Sequence, residues 1–268
     1  MENKIKSVFA ISSKSRPEIL RKMTLKILNK IPKNKIYIFV EPQDYDKYLD
    51  IKEEGYNLIS IEKNDMKIGY SRKFIQKYFE NKNDLVWQID DNMDSFYIRN
   101  EELKLKKIDE NEILNMFIFL ENKIKDYTIL TLSFKPSNWF YTQEYKENTR
   151  AWGIVLLNNK LLCEKNIFYD DYLGLFEDYD ICARCLSFGL KTISFYNYAF
   201  YKEMSKFTGG CQVYKNKEYS EEICIYLKKK YSNKIKIFFN EKHKIFEPKF
   251  YWHEFKEIKI YKNNLLNF

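Results

Sequence analysis

The sequence predicts an α/β fold, a mostly parallel sheet flanked by helices, with an α+β C-terminal part. Short apolar runs alternate with helix-period segments through the first half of the chain, the pattern that builds parallel sheets with crossover helices. Glycine or proline punctuates most of the junctions. Polar residues able to do chemistry, at 12–16 and 90–92, directly follow two of the apolar runs. In such sheets ligands bind beyond the C-terminal ends of the strands.

Residues 5–12 (IKSVFAIS) open the series as a strand, fully apolar from Val8 to Ile11. Pro17 suits a first helical turn, and Ile19, Leu20, Met23, Ile27 and Leu28 share one helical face until Pro32 stops it. Residues 35–40 (KIYIFV) form a second strand ended by Pro42, a short helix covers 44–53, and 57–61 (NLISI) form a third strand. A helix over 71–80 starts at Ser71, a residue type suited to capping. Residues 84–90 (DLVWQID) are a fourth strand running into an acidic turn. The second half is less regular. It has an amphipathic helix over 109–126, a strand at 128–134, a polar and aromatic loop at 135–149 and a strand at 150–157. A helix over 177–188, ended by Gly189, precedes strands near 190–196 and 198–203, then a loop at 204–212 and a mixed tail over 219–268.

Composition bounds the function. Of 268 residues, 45% are hydrophobic and 31% charged, enough for a folded core. Aromatic residues reach 18%; most pack, and a minority are candidate platforms for flat ligands. The net charge of +8 suits a polyanionic partner. Lysine predominates, and the few arginines, Arg16, Arg21, Arg72, Arg99, Arg150 and Arg184, are the planar forks that grip phosphate or carboxylate. The five cysteines have no framework spacing, and Cys182 and Cys185 read as small buried residues rather than a zinc or redox pair. No run approaches the ~18 apolar residues of a membrane span, so a cytoplasmic location in a bacterium or an infected cell is expected.

Two clusters carry the chemistry. Asp90, Asp91, Asn92 and Asp94 gather hard oxygen donors at the end of a buried strand, an arrangement suited to Mg or Mn held with substrate phosphates. A nucleotide diphosphate, whose leaving group needs its charge balanced, is the natural substrate. The bland alternative is an acidic turn capping a strand. The second cluster is Glu177, Asp178 and Asp180, followed by Arg184 and Gly189. Asp180 and Arg184 share a helix face and should pair. Glu177 or Asp178 is a candidate general base for an acceptor hydroxyl, and acids favoured by the helix dipole are the plain alternative.

The runs VFAISSKSR, GYSRKFIQKYF, LVWQIDDNMDSF, AWGIVLLN and FEDYDICARCLSFGLKTI, in this order and spacing, resemble glycosyltransferases of the GT-A (Rossmann-like) fold over about residues 5–200. Within that fold the chain looks like the TET-associated glycosyltransferases, a group found in phages that includes relatives of the base J glucosyltransferase. The resemblance implies that residues 1–210 form a nucleotide-sugar-binding and catalytic domain. Residues 211–268 would be an extension packed on it, a candidate acceptor-binding element. It implies a UDP-sugar donor, with Ser12 and Arg16 near the nucleotide and Arg72 on its ribose or diphosphate. Asp90, Asp91 and Asn92 would take the DxD role on ribose and metal, with Asn92 departing from the full motif and Asp94 able to compensate. Glu177 or Asp178 would act on the acceptor, Trp152 would line the sugar or acceptor pocket, and Gly209 and Gly210 would let a loop close over the donor. His243 or His253 would match the late histidine that some GT-A enzymes place on the metal.

The leading expectation is sugar transfer to a 5-hydroxymethylpyrimidine in double-stranded phage DNA. The basic residues 228–230 are a candidate phosphate track. The alternatives are transfer to a surface polysaccharide, lipid or protein, a carboxylate-cluster metal nuclease, and a non-catalytic nucleic-acid-binding protein.

Overall fold

The computed structural model describes residues 5–203 and 214–255. Its strands are β1 (Val8–Ser12), β2 (Ile36–Val40), β3 (Asn57–Ser60), β4 (Leu85–Asp90), β5 (Met93–Arg99), β6 (Leu105–Lys107), β7 (Ile129–Phe134), β8 (Tyr145–Glu147), β9 (Ile154–Asn158), β10 (Thr192–Lys202), β11 (Ile235–Asn240) and β12 (Ile245–Phe250). A 10-stranded sheet runs β3-β2-β1-β4-β9-β7-β10-β5-β6, with β8 also on β10, while β11 and β12 form a separate hairpin. The first four strands are mutually parallel, and β7 and β10 are parallel to each other. β9 runs antiparallel between β4 and β7, so those two neighbours of β9 point the same way.

Both faces of the sheet are covered, which is why its strands read as near-continuous apolar runs. On β1, Val8 and Ala10 join Ile75 and Phe79 beside the helix Ile68–Tyr78. Phe9 and Ile11 face the other way, with Trp87, Phe117 and Leu120 at the helix Glu110–Lys123. That second helix opens with a capping box, Asp109 accepting from the Glu112 amide and Glu112 accepting from the Asp109 amide.

Several elements differ from the sequence expectation. Ser71 lies inside its helix, which begins at Ile68 with Lys67 as an N-cap that makes no side-chain bond. A tertiary contact, Gly69 N–H to the Leu173 carbonyl at 3.0 Å, holds that start instead. The two strands expected near 190–196 and 198–203 are one strand, β10, with a register break between Phe195 and Ala199 against β7. The polar stretch 135–149 holds a one-turn helix, Lys135–Asn138, and β8. β5, directly after the acidic turn, pairs antiparallel with β10 and brings Met93 beside Lys202.

The helix Lys217–Tyr231 and the β11–β12 hairpin pack on the helix Glu177–Ser187 through Leu186, Ile223, Leu227, Ile235 and Phe250. Lysines 228 and 230 serve this packing rather than an outer phosphate track. Lys228 donates to the Ile235 carbonyl at 2.7 Å, and Lys230 reaches Asp180 at 2.6 Å and Asp170 at 3.0 Å. Cys182 and Cys185 are free and buried. Among the described residues, no helix is long and apolar enough to cross a membrane.

Candidate active site

β1 and β4 are parallel neighbours with Ser12 opposite Asp90, so the turns that follow them open on one edge of the sheet. The loop after β1 is fixed by acids after β2. Ser15 donates through N–H and Oγ to Asp44 at 2.8 Å, and Lys14 pairs with Glu41 at 2.9 Å. Ser12 ends the strand, and it is Ser13 that turns toward the acidic residues, donating to Asp91 Oδ2 at 2.8 Å.

The two aspartates have different surroundings. Asp91 is 1% exposed, and Arg16 grips both its oxygens, Nη2 to Oδ1 at 2.7 Å and Nε to Oδ2 at 3.1 Å. Burial pushes the Asp91 carboxyl up, and Arg16 and Ser13 offset this only in part. Asp90 keeps a quarter of its side chain exposed, with Arg72 Nη2 at 3.4 Å from Oδ1 and the Lys202 ammonium on Oδ2. Burial alone would raise Asp90, but Lys202 and then Arg72 outweigh it and hold the carboxyl below its ordinary range.

Arg72 links this turn to the second cluster, its Nε 3.5 Å from Glu177 Oε1. Its Nη1 is buried without a hydrogen-bond partner, and its guanidinium lies 5.5 Å over the Tyr169 ring. Gly69 explains how Arg72 is placed. A Cβ there would sit 2.0 Å from the Asp170 carbonyl oxygen and 2.7 Å from that of Leu173, so only glycine lets this helix start touch the 170–173 backbone. Gly69→Ala is therefore expected to cost about 1–3 kcal/mol through overpacking and to displace Arg72. A lowered Tm in thermal unfolding checks this.

Glu177 and Asp178 start their helix after Phe176, whose φ of +64° is a left-handed conformation uncommon for a bulky residue. Asp178 is committed to Arg150, 2.5 Å from Nε. Glu177 has the looser Arg72 contact. Burial raises its carboxyl to about 7, against the lowering effect of Arg72 and with Asp178 adding to the rise. Asp180 pairs with Arg184 at 2.9 Å, as the spacing predicts, and is fully buried away from this edge under Tyr231. Trp152 lies between cations, Arg150 5.1 Å and Lys202 5.2 Å from its ring centre.

The metal candidates divide. Asp91 has both oxygens occupied by Arg16, and Asp94 is exposed and accepts from Ser95. Asn92 donates its amide to the Glu203 carbonyl at 2.6 Å, a bond that does not use its side-chain oxygen. His243 pairs with Glu247 at 3.1 Å in the β11–β12 turn and His253 lies 3.9 Å from Glu254, so neither is joined to the acidic turn. Among the described residues, no group of three or more His, Cys, Asp or Glu is gathered for a metal. A divalent ion held by Asp90, the Asn92 carbonyl and substrate phosphates fits the chemistry of these donors, provided the Lys202 ammonium yields its place on Asp90. Gly209 and Gly210 lie outside the described residues. Sequence reasoning missed Ser13 and Lys202 and gave Arg150 no role of its own.

A family model described as TET-Associated Glycosyltransferase matches residues 7–210. The chain belongs to the TET-associated glycosyltransferase family. No curated protein matches it by sequence. Among solved structures, S. aureus TarS 1-349 in complex with UDP-GlcNAc is similar, with a TM-score of 0.55 at 14% identity over 81% of this chain and 65% of that one. TarS 1-349 solved on its own gives 0.53 at 14% identity, over 74% and 60%. GalNAc-T7 with UDP, GalNAc and Mn2+ gives 0.52 at 9% identity, over 75% and 44%. The chain thus spans less than two thirds of the length of these structures, and at such identities the likeness establishes the GT-A fold.

Proposed function

We propose that this TET-associated glycosyltransferase moves a sugar from a UDP-sugar to the hydroxyl of a 5-hydroxymethylpyrimidine in double-stranded DNA, with Glu177 as general base. The observation that carries the reading is Arg72, which faces Asp90 on one side and Glu177, whose carboxyl burial raises to about 7, on the other. Base and leaving-group pole then share one residue. The acceptor O–H gives its proton to Glu177, its oxygen bonds the anomeric carbon, and the bond from that carbon to the diphosphate breaks. Arg72 and Lys202 face the charge that develops on the departing nucleoside diphosphate. Asp91 positions Arg16 at the nucleotide edge, and Arg150, held by Asp178, orients Trp152 as a wall for the sugar. A bound Mn or Mg would neutralise the diphosphate from Asp90 and Asn92. Written this way, the displacement is single and inverts the anomeric carbon. The net charge of +8 suits a DNA acceptor, and the bacterial or phage-infected cytoplasm is the setting where such DNA is available.

The test is transfer from a panel of nucleotide sugars, with Mn or Mg, to duplexes carrying 5-hydroxymethylcytosine or 5-hydroxymethyluracil. A mass gain of one sugar on the modified duplex is the expected result. Donor hydrolysis without transfer to either duplex would redirect the acceptor to a polysaccharide, lipid or protein.

A further inference from the structure

The loop that leaves β7 carries two large aromatic rings in solvent. Trp139 is 73% exposed and Phe140 65%, and the two stack on each other with centroids 3.7 Å apart. Their setting is rigid. Asn138, just before them, is 1% exposed; its Oδ1 and carbonyl accept from Arg99 Nη2 at 2.8 and 3.0 Å, and its amide donates to Ser133 Oγ at 2.6 Å and the Tyr196 carbonyl at 2.8 Å. Tyr141, just after them, stacks on Tyr196 at 3.8 Å. Arg99 also donates to the Gln143 carbonyl at 3.3 Å. Burying a guanidinium to hold carbonyls is costly in itself, and here it fixes the turn on both sides of the exposed pair. The indole is oriented too, its Nε1 donating to the Pro136 carbonyl at 3.0 Å.

The turn that carries the ledge leaves the sheet beside the active site. Phe134, the last residue of β7, packs 5.1 Å from Trp152 and lies parallel to Tyr201. Tyr201 neighbours Lys202, which holds Asp90. Lys135 follows Phe134, its ammonium 4.3 Å over the Tyr97 ring and 5.5 Å from that of Tyr201. A held pair of stacked rings on the same turn as Lys135, in a chain of charge +8, fits a flat ligand carried on a polyanion.

We propose that Trp139 and Phe140 form a stacking ledge for a nucleobase of bound DNA, on the flank of the active site. This rests on the DNA reading above and adds to it how the strand is held. An unstacked base exposes its π-face, and a fixed aromatic surface offers that face a partner.

The test compares the full chain with its Trp139→Ala, Phe140→Ala double variant by fluorescence anisotropy on labelled single-stranded and duplex oligonucleotides containing 5-hydroxymethylcytosine. Both rings are exposed, so circular dichroism, Tm and acceptor-free UDP-sugar hydrolysis should be unchanged. The expected result is binding weaker by about 5- to 150-fold, since a base–aromatic stack contributes roughly 1–3 kcal/mol. That loss should persist at raised salt, where phosphate contacts fade. Equal affinity of the two proteins for DNA overturns the ledge, and leaves the DNA reading standing if both still transfer sugar to the duplex. Ledge-dependent binding without any transfer keeps the ledge and removes the acceptor assignment. A native chain that binds neither oligonucleotide overturns both.

Discussion

Glu177→Gln is expected to lower kcat by about 10²–10⁴, the usual contribution of a general base, while donor affinity stays nearly constant. Glutamine keeps the size and the contact with Arg72 but cannot accept the acceptor proton. The pH profile separates a base from a structural acid. Burial holds the Glu177 carboxyl near 7 despite Arg72. Below that pH it is protonated and inactive as a base, so kcat/KM should rise with pH through about 7. Asp90, held low by Lys202 and Arg72, stays ionised across this range and adds no limb there. The glutamine variant should lose the limb along with the rate. Asp178→Asn should act differently. It frees Arg150 from its 2.5 Å partner and should disturb the Trp152 wall, raising KM, and by removing a charge that raises Glu177 it should move the limb to lower pH without abolishing it. A glutamine variant that retained a limb near 7 would transfer the base role away from Glu177.

The parallel half of the fold was legible because its strands are buried on both faces. Continuous apolar runs, ended by proline, glycine or a polar turn, leave little ambiguity there. The scarcity of arginine in a lysine-rich chain was the more productive signal for the site. Arg16, Arg72 and Arg150 each hold a carboxylate at the sheet edge, the task that a rigid fork performs and lysine does less well. Lys202 was hidden for the same reason, since nothing in a sequence full of lysines marks the one at the end of β10. β5 was missed because the polar residues Asp94 and Ser95 follow the acidic turn, and its strand character depends on β10, a partner distant in sequence. The register break in β10 read as a gap between two strands because the carbonyls it frees are met by side chains, Ser133 at Tyr198 and Asn138 at Tyr196, that no local pattern foretells. The left-handed Phe176 before Glu177 has no local signal either, because the conformation is imposed by the packing around it.

The adjacent aspartates should separate cleanly by mutation, although the sequence treats them as one motif. Asp91→Ala removes the carboxylate from a buried pair and leaves Arg16 and Ser13 without that acceptor. Breaking a fully buried pair costs about 3–5 kcal/mol. With 18% of the Arg16 side chain still reached by water, about 2–4 kcal/mol is the better expectation here. At roughly 2–4 °C per kcal/mol for a domain near this size, Tm should fall by about 5–15 °C. Activity would fall with it through the displaced loop at residues 12–16. Asp90→Asn should leave Tm within a few degrees, because asparagine still accepts from Lys202 and the carboxylate it replaces is partly exposed. Its loss should appear in donor binding and in the concentration of Mn or Mg needed for half-maximal rate. Thermal unfolding and a metal titration on both variants decide the matter. If Asp91→Ala kept its Tm and lost only metal response, the carboxylate gripped by Arg16 would be the ligand, and the division of labour between the two aspartates would be reversed.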